Sequence, residues 1–561
     1  MHSNLSPEPS VVTIQANGEP PLKKPKLHGR AFYENLGSPK LILAPMVDQS
    51  EFAWRMLSRS FFPPELRSSL LAYSPMLHSR LFVKESNYRA SSFQPLKTAI
   101  PEPSEGNSPP NPDEWHLDGN PKFDRPLFVQ FCSNEPDDFL GAARYIQRYC
   151  DAVDLNLGCP QGIAKRGNYG AFLQEDWEKI HALISALHKD LDIPVTAKFR
   201  AQETKEKTLE YAKMILSAGA SIITVHGRQR EQKGHNTGLA DWSIIKYLRD
   251  NLPPETVIFA NGNILQYQDI ARCLEATGAD GVMSAEGNLS DPSIFAPPPV
   301  GDDNPEYWRG VDGEGGWRVD AVFRRYMDII HHSVLGVAPP PRAPLFDPRA
   351  PSSPQSTPST ASPGAETEPS EPPLKKQRRT DPPAKPKKQK RCHEPNLVAM
   401  RSHLFSLLRA LVSEHHDIRN ALARTQTADV DSYERALQMV EKAVRQGLVD
   451  YEASHAAART NGAQPPPANA DAPIDDSTES SRGAIERCDR PWWICQPYIR
   501  PLPHEAVEKG SLTLSKKEKK RLAEQGQVVA NGAENGACDV QAPTEKIAVD
   551  EVVQPAVAAT G

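Results

Sequence analysis

The sequence predicts a (β/α)8 TIM barrel of the α/β class, followed by a small all-α domain and joined by unstructured connections. Three observations carry that expectation. Short apolar runs rich in β-branched residues recur at 41–44, 70–73, 127–131, 152–155, 195–198, 221–225, 257–260 and 280–283. Between most of them lie stretches with helical spacing, as at 177–189, where Ile180, Leu183, Ile184 and Leu187 share one face. Strand then helix, eight times in about 250 residues, is the length of a closed parallel barrel. An open doubly wound sheet competes, but no Gly-x-Gly-x-x-Gly follows the first run.

Taken in order, residues 1–37 read as a disordered tail with a small basic cluster at Lys23, Lys24 and Lys26. The barrel spans 38–335. The gap from Tyr73 to Leu127 is too long for one crossover, and its stretch 101–112 (PEPSEGNSPPNP) reads as an exposed insertion. Residues 336–391 form a disordered Pro-rich linker that ends in a basic block. A helical domain follows over 392–450. Its first helix aligns Leu397, Met400, Leu404, Leu407, Leu408 and Leu411 in one stripe. Its second starts near Asp431-Ser432, carries Tyr433, Leu437, Val440 and Val444, and stops at Gly447. Residues 451–561 read as a mostly disordered tail, except for the apolar patch 491–498 (PWWICQPY), which should dock on a folded surface.

Composition supports this division. Proline accounts for 54 of 561 residues, about twice the usual share of roughly 5%. Fifteen of these prolines fall between Pro339 and Pro386, so the excess is local. Hydrophobic residues make up only 38%, low for a chain packed throughout. The eight cysteines include no Cys-x-x-Cys pair, which argues against a zinc ribbon or redox dithiol; no metal is expected. Sparse cysteines suit a reducing compartment. Residues 1–20 lack the pattern of a signal peptide. No apolar run approaches the ~18 residues of a membrane span. A soluble intracellular protein is expected, with no membrane partner and as a monomer.

Unusual residues stand where the strands should end, the active-site face of such a barrel. The first run leads into Pro45-Met46-Val47-Asp48, and the third contains Gln130. The fourth runs into Asn156-Leu157-Gly158-Cys159-Pro160-Gln161. The fifth ends at Lys198-Phe199-Arg200, and the sixth at His226-Gly227-Arg228. The seventh gives Asn261-Gly262-Asn263 and the eighth Ser284-Ala285-Glu286-Gly287. One such lysine or histidine is ordinarily a solvated or satisfied group; their joint placement is harder to explain structurally. The last two loops are short, polar and glycine-containing, so their N–H groups can cradle a phosphate. A phosphate site, a lysine and amide side chains together suggest FMN. Reduced isoalloxazine is anionic near N1, and Lys198 is the cation placed to stabilise it.

Cys132, Cys150 and Cys273 are read as small buried hydrophobes. Cys159 lies beyond a strand end, within the run 158–170 that holds four glycines and the basic pair Lys165 and Arg166, which suggests a mobile cationic loop. A thiol of ordinary pKa near 8.5 is mostly protonated at neutral pH and can deliver a proton.

The segments Leu43-Ala44-Pro45-Met46, Leu155-Asn156-Leu157-Gly158-Cys159-Pro160, Lys198-Phe199-Arg200, Thr224-Val225-His226-Gly227-Arg228 and Ala260-Asn261-Gly262-Asn263-Ile264 resemble the tRNA-dihydrouridine synthase family over roughly residues 40 to 335. The run from Asn156 to Ala171 is very specific, and its wording is most similar to the eukaryotic branch acting on uridines 16 and 17 of the tRNA D-loop. The resemblance implies reduction of the uridine C5–C6 bond with FMN and NADPH. It implies flavin contacts at Pro45, Met46, Val47, Gln130, Lys198, His226, Asn261, Gly262, Asn263, Ala285 and Glu286, with Cys159 as proton donor. Asn156 and Arg228 are expected at the base edge, and Lys165 and Arg166 near the RNA. Bacterial members often carry Gly-Arg where this chain has Ala285-Glu286, so contact there is expected through backbone N–H groups.

The helices after 392 resemble the tRNA-binding domain that follows the barrel in this family. The basic block 375–391 holds nine basic residues and one acid in 17 positions. It suits non-specific phosphate binding, nuclear import, or both, so a nuclear and/or cytoplasmic location is expected. The segment 516–521 is a weaker copy. Rival readings are a flavin barrel reducing a free pyrimidine and a non-catalytic RNA-binding barrel. The basic residues beside Cys159 argue against the first, and intact Cys159, Lys198 and His226 against the second.

Overall fold

The structure, a computed structural model, describes residues 26–103, 110–234, 237–301, 304–310, 315–348, 392–460, 490–502 and 505. The basic cluster at Lys23-Lys24, the basic block 375–391 and the segment 516–521 lie outside the described residues.

All eight expected runs are strands. They are β1 (Leu41–Leu43), β2 (Leu70–Tyr73), β4 (Leu127–Cys132), β5 (Ala152–Leu157), β6 (Val195–Arg200), β7 (Ile222–His226), β8 (Val257–Asn261) and β9 (Gly281–Ser284), with a two-residue β3 (Leu77–His78) beside the end of β4. Every neighbouring pair is parallel, and pairing of β2 with β4 closes the barrel.

Alternation along the strands separates two cores. Val129, Phe131, Val153, Leu155, Ala197, Phe199, Ile223 and Val225 face outward against the helices. Ile42, Leu71, Tyr73, Phe128, Ala152, Ile222, Val257, Phe259 and Met283 fill the interior. The same alternation carries Gln130, Asp154, Asn156, Lys198, Arg200, His226 and Asn261 into the barrel toward the strand ends. The interior is therefore apolar at one end and polar at the other.

The apolar end is closed by a helix that the sequence reading assigned to the disordered tail. Helix Gly29–Asn35 lays Phe32 and Tyr33 across the barrel bottom, with Phe32 stacked on Phe128 at 5.9 Å and the Tyr33 hydroxyl donating to the Asp280 carbonyl (3.0 Å). Seven residues are too few to display helical periodicity, so tertiary packing is what specifies this element.

The long connection after β2 is anchored by charge. Helix Phe52–Arg59 buries Arg55 and Arg59 against Asp118 and Asp124. The flanks of the expected insertion at 101–103 and 110–112 are mostly exposed, and 104–109 lies outside the described residues.

The stripe of the helical domain is buried at all six positions, but it serves two helices, Pro395–Leu407 and Arg409–Glu414, which break at Leu408. A further helix, His416–Arg424, escaped the sequence reading because only Ile418 and Leu422 of its nine residues are buried. The last helix does not stop at Gly447 but continues from Val430 to Thr460. Gly447 is a contact point instead. A Cβ there would lie 2.8 Å from Trp492 and 2.9 Å from Trp493. Residues 451–460, expected in the disordered tail, are therefore helical.

Two other boundaries move. Residues 336–348, expected in the linker, are docked: Arg342 donates to Glu434 (2.7 and 3.0 Å) and Arg318 to the Phe346 carbonyl (2.6 Å). The patch 491–498 docks as expected. Trp493, Ile494 and Cys495 are buried, Val319 N–H donates to the Trp493 carbonyl (2.9 Å) and Cys495 N–H to that of Trp317 (2.9 Å). Helical domain and barrel share one outer core. At their junction His403 stacks on Trp54 at 3.8 Å, and its Nε2 bonds the Glu51 carboxylate (3.0 Å). Among the described residues, no helix is long and apolar enough to cross a membrane.

Candidate active site

A polar relay crosses the floor of the barrel mouth. Thr196 and Gln130 Nε2 donate to the two oxygens of Asp154 (2.6 and 2.8 Å). Gln130 Oε1 is thereby turned to accept from Asn156 Nδ2 (2.7 Å). Asn156 Oδ1 in turn accepts from the N–H groups of Gly158 (3.0 Å) and Cys159 (2.9 Å), an Asx turn that fixes the thiol-bearing loop. Each amide's orientation follows from its neighbour. Burial raises the Asp154 pKa to about 6, against the two donors that favour its charged form.

Beside this relay stands a group of cations. Lys198 Nζ donates to Asn261 Oδ1 (3.0 Å), a neutral amide, while Asn261 Nδ2 donates to the Met283 carbonyl (3.0 Å). Burial, and then Arg200, lower the Lys198 pKa to about 8. Arg200, His226 and Asn261 occupy one register level on β6, β7 and β8. Arg200 is lowered to about 10 and Arg228 to about 10, each chiefly by burial. Burial and the surrounding Arg200, Lys198 and Arg228 hold His226 well below the usual histidine range, hence neutral. Its Nε2 lies 3.1 Å from Arg228 Nη1, which can only donate, so the ring's proton resides on Nδ1.

Cys159 sits above these cations, partly exposed, packed near Cys132, Ala164 and Tyr169. Burial raises its pKa; the Gln161 N–H and the charges of Arg200, Lys198 and Lys233 only partly counter this. The thiol is protonated at neutral pH. Gly170, at φ +63°, permits the return of the loop: a Cβ there would lie 2.9 Å from the Cys159 carbonyl oxygen. The run after Cys159 contains helix Gly162–Gly167, ended by left-handed Asn168, with Lys165 and Arg166 exposed on it. Cys132, Cys150 and Cys273 are buried, as expected.

The remaining expected residues line the same mouth. Pro45 and Met46 are half-buried after β1 and Val47 is exposed; Ser50 Oγ accepts from the Met46 N–H (3.0 Å). Gly262 and Asn263 follow β8 with φ of 118° and 61°. Arg228 is engaged within the protein, donating to Gly238 O (2.9 and 3.0 Å) and Asn263 Oδ1 (2.8 Å) besides His226. Ala285 and Glu286 follow β9, and the Glu286 carboxylate is gripped by Arg500 Nε (2.9 Å) and Nη2 (2.6 Å).

Several participants were missed by sequence reasoning. Arg200 donates to the Gly158 carbonyl (2.8 Å), and Lys233 to that of Pro160 (2.8 Å), clamping the Cys159 loop from β6 and from the β7 loop. Arg200 could have been found, since it lies two residues beyond Lys198 and therefore on the same strand face. Asp154 shares that signal with Asn156. Lys233 and Arg500 carry none. Among the described residues, no three His, Cys, Asp or Glu side chains converge as a metal would require.

A half-buried lysine whose hydrogen-bond partner is a neutral amide, flanked by depressed arginines, suits an anionic planar group, and the protonated thiol beside it can serve a substrate stacked on that group. The donor set fits FMN. It defines a barrel enzyme rather than a passive scaffold. The family model described as Dihydrouridine synthase (Dus) matches residues 42–304. The chain is 41% identical over 488 residues to the tRNA-dihydrouridine(16/17) synthase [NAD(P)(+)] of Schizosaccharomyces pombe, covering 86% of this chain and 94% of that one. It is 40% identical over 483 residues to the protein of the same name in Saccharomyces cerevisiae, covering 85% and 87%. A rat relative named tRNA-dihydrouridine(16/17) synthase [NAD(P)(+)]-like is 34% identical over 499 residues, covering 88% and 82%. The chain belongs to the dihydrouridine synthase family.

Proposed function

We propose that this chain reduces the C5–C6 bond of uridines 16 and 17 in the tRNA D-loop, using FMN held at the barrel mouth and NADPH as reductant. The observation that carries this reading is the pairing of a protonated Cys159 with the cation Lys198, whose hydrogen-bond partner is a neutral amide, at one barrel mouth. FMN, when bound, supplies hydride to C6 of the uracil. Lys198 and Asn261 would hold the ring, His226 its phosphate-side edge, and the loops after β8 and β9 the phosphate. Pro45, Met46, Val47 and Gln130 border the same space. Cys159 holds the proton that C5 receives from the opposite face, so the base must leave its stack to reach it. Exposed Lys165 and Arg166 stand beside the thiol, where RNA phosphates would pass, and Asn156 and Arg228 stand near the base edge.

The helical domain completes the RNA surface, the protein acts as a monomer, and the basic block directs it to the nucleus as well as the cytoplasm. Replacing Lys387, Lys388, Lys390 and Arg391 by Ser separates the block's two jobs. Weaker tRNA affinity with a shallower salt dependence marks phosphate binding; loss of nuclear protein marks import. The whole reading is tested by mapping dihydrouridine in RNA from cells lacking the protein. Positions 16 and 17 should lose the modification and regain it with the wild-type gene but not with Cys159→Ala. Unchanged dihydrouridine in the deletion refutes it.

A further inference from the structure

The loop after β9 presents a contradiction. It belongs to the cradle proposed for a phosphate, yet it carries the carboxylate of Glu286, which would repel one. The structure resolves this from outside the barrel. Arg500, 214 residues away in sequence, grips Glu286 through Nε (2.9 and 3.1 Å) and Nη2 (2.6 Å), and its Nη1 donates to the Gly234 carbonyl (3.2 Å) in the loop after β7.

Arg500 reaches this place on a docked strap. Trp493, Ile494 and Cys495 are buried against 317–319, and Tyr498 lies under Arg409 at 3.6 Å and beside Arg500 at 5.5 Å. The barrel's own arginines are committed elsewhere. Arg200 serves the carbonyls of Gly158, Gln229 and Gln232. Arg228 uses Nε, Nη1 and both hydrogens of Nη2 on Gly238, His226 and Asn263. A guanidinium has five N–H donors. Arg500 engages three, which leaves one on Nη1 and one on Nη2 without a partner among the described residues.

We propose that Arg500 is the cation of the cofactor's phosphate end: Glu286 positions its guanidinium, and the two remaining N–H groups bind the phosphate oxygens. The family-matched barrel, residues 42–304, thus has its anion site completed by the C-terminal strap. Removing Arg500 both deletes a donor pair and bares a carboxylate toward the phosphate. The inference rests on the flavin reading above.

Riboflavin, which lacks the phosphate, separates the two. Full-length apoprotein is titrated with FMN and with riboflavin, following quenching of flavin fluorescence, for wild type, Arg500→Ala and Arg500→Lys. Wild type should prefer FMN. Arg500→Ala should weaken FMN by about 10- to 100-fold, the usual worth of hydrogen bonds to a charged group, and leave riboflavin within about 2-fold. Arg500→Lys, which keeps the charge but not the fork, should fall between. Equal weakening of both flavins would mean that Arg500 only props up the fold, and unchanged FMN affinity would mean that it does not meet the phosphate; either overturns the inference while the flavin reading stands. Wild-type protein that binds neither flavin overturns both.

Discussion

Two clusters of basic side chains sit in the same barrel and are built on opposite principles. Below the long connection, Arg55 and Arg59 face Asp118 and Asp124, two charges of each sign. Arg55 donates to Asp124 (2.5 and 3.0 Å), Asp118 (2.7 Å) and the Ser50 carbonyl (2.8 Å). Despite burial, these carboxylates raise the Arg55 pKa above its ordinary value, while burial and the neighbouring Arg55 leave Arg59, which shares Asp124 with it, lowered. At the mouth, Lys198, Arg200 and Arg228 have carbonyls, amides and the neutral His226 ring as hydrogen-bond partners, and all three are lowered. The clasp is fully buried and the mouth cations are half-buried, but what separates them most is the balance of charge. A balanced cluster ties chain segments together, whereas a surplus of buried charge is a cost that is tolerated where an anionic ligand will offset it.

The largest test of that contrast is Asp124→Ala, which strands two buried arginines. It should lower unfolding stability by about 3–5 kcal/mol, read as the shift in denaturant midpoint at unchanged slope. A loss under about 1 kcal/mol would mean that the cluster does not clasp the connection to the barrel. Cys159→Ala tests the mouth. Dihydrouridine formation should fall by roughly 100-fold or more, while flavin binding and its reduction by NADPH persist; unimpaired product formation removes the thiol from the reaction.

The strap offers a smaller perturbation. Gly447→Ala pushes a methyl against Trp492 and Trp493 and should cost about 1–3 kcal/mol, with a change in tryptophan fluorescence as the strap shifts. An undisturbed spectrum would contradict the close approach. Smallest is the pH signature of Lys198. Its folded pKa, about 8, lies below the ordinary 10.5, so the folded state binds this proton less tightly than the unfolded state. The penalty of the buried charge is complete below pH 8 and disappears as pH rises from 8 to 10.5. Lys198→Met should therefore match or exceed wild-type stability at pH 7, and the advantage should shrink across that window. FMN affinity of Lys198→Met should fall. A variant less stable at pH 7 would place Lys198 among the structural pairs.

All eight strands were legible because each is or contains a compact apolar run, and period-two alternation carried Lys198, His226 and Asn261 to one end of the barrel by arithmetic. Cys159 was legible because its neighbours are distinctive. The plugging helix Gly29–Asn35 was not, since seven residues show no period and its burial depends on a cavity that exists only once the barrel closes. Gly447 read as a stop because glycine commonly ends helices, yet here it makes room for two indoles from a distant segment. Sequence alone thus determined what local pattern encodes: strand, helix, face and the residue types at strand ends. Tertiary structure decided which charges are balanced, which amides orient one another, and that Arg500 meets Glu286. Those depend on contacts between residues far apart in the chain, where a one-dimensional pattern holds no trace of the partner.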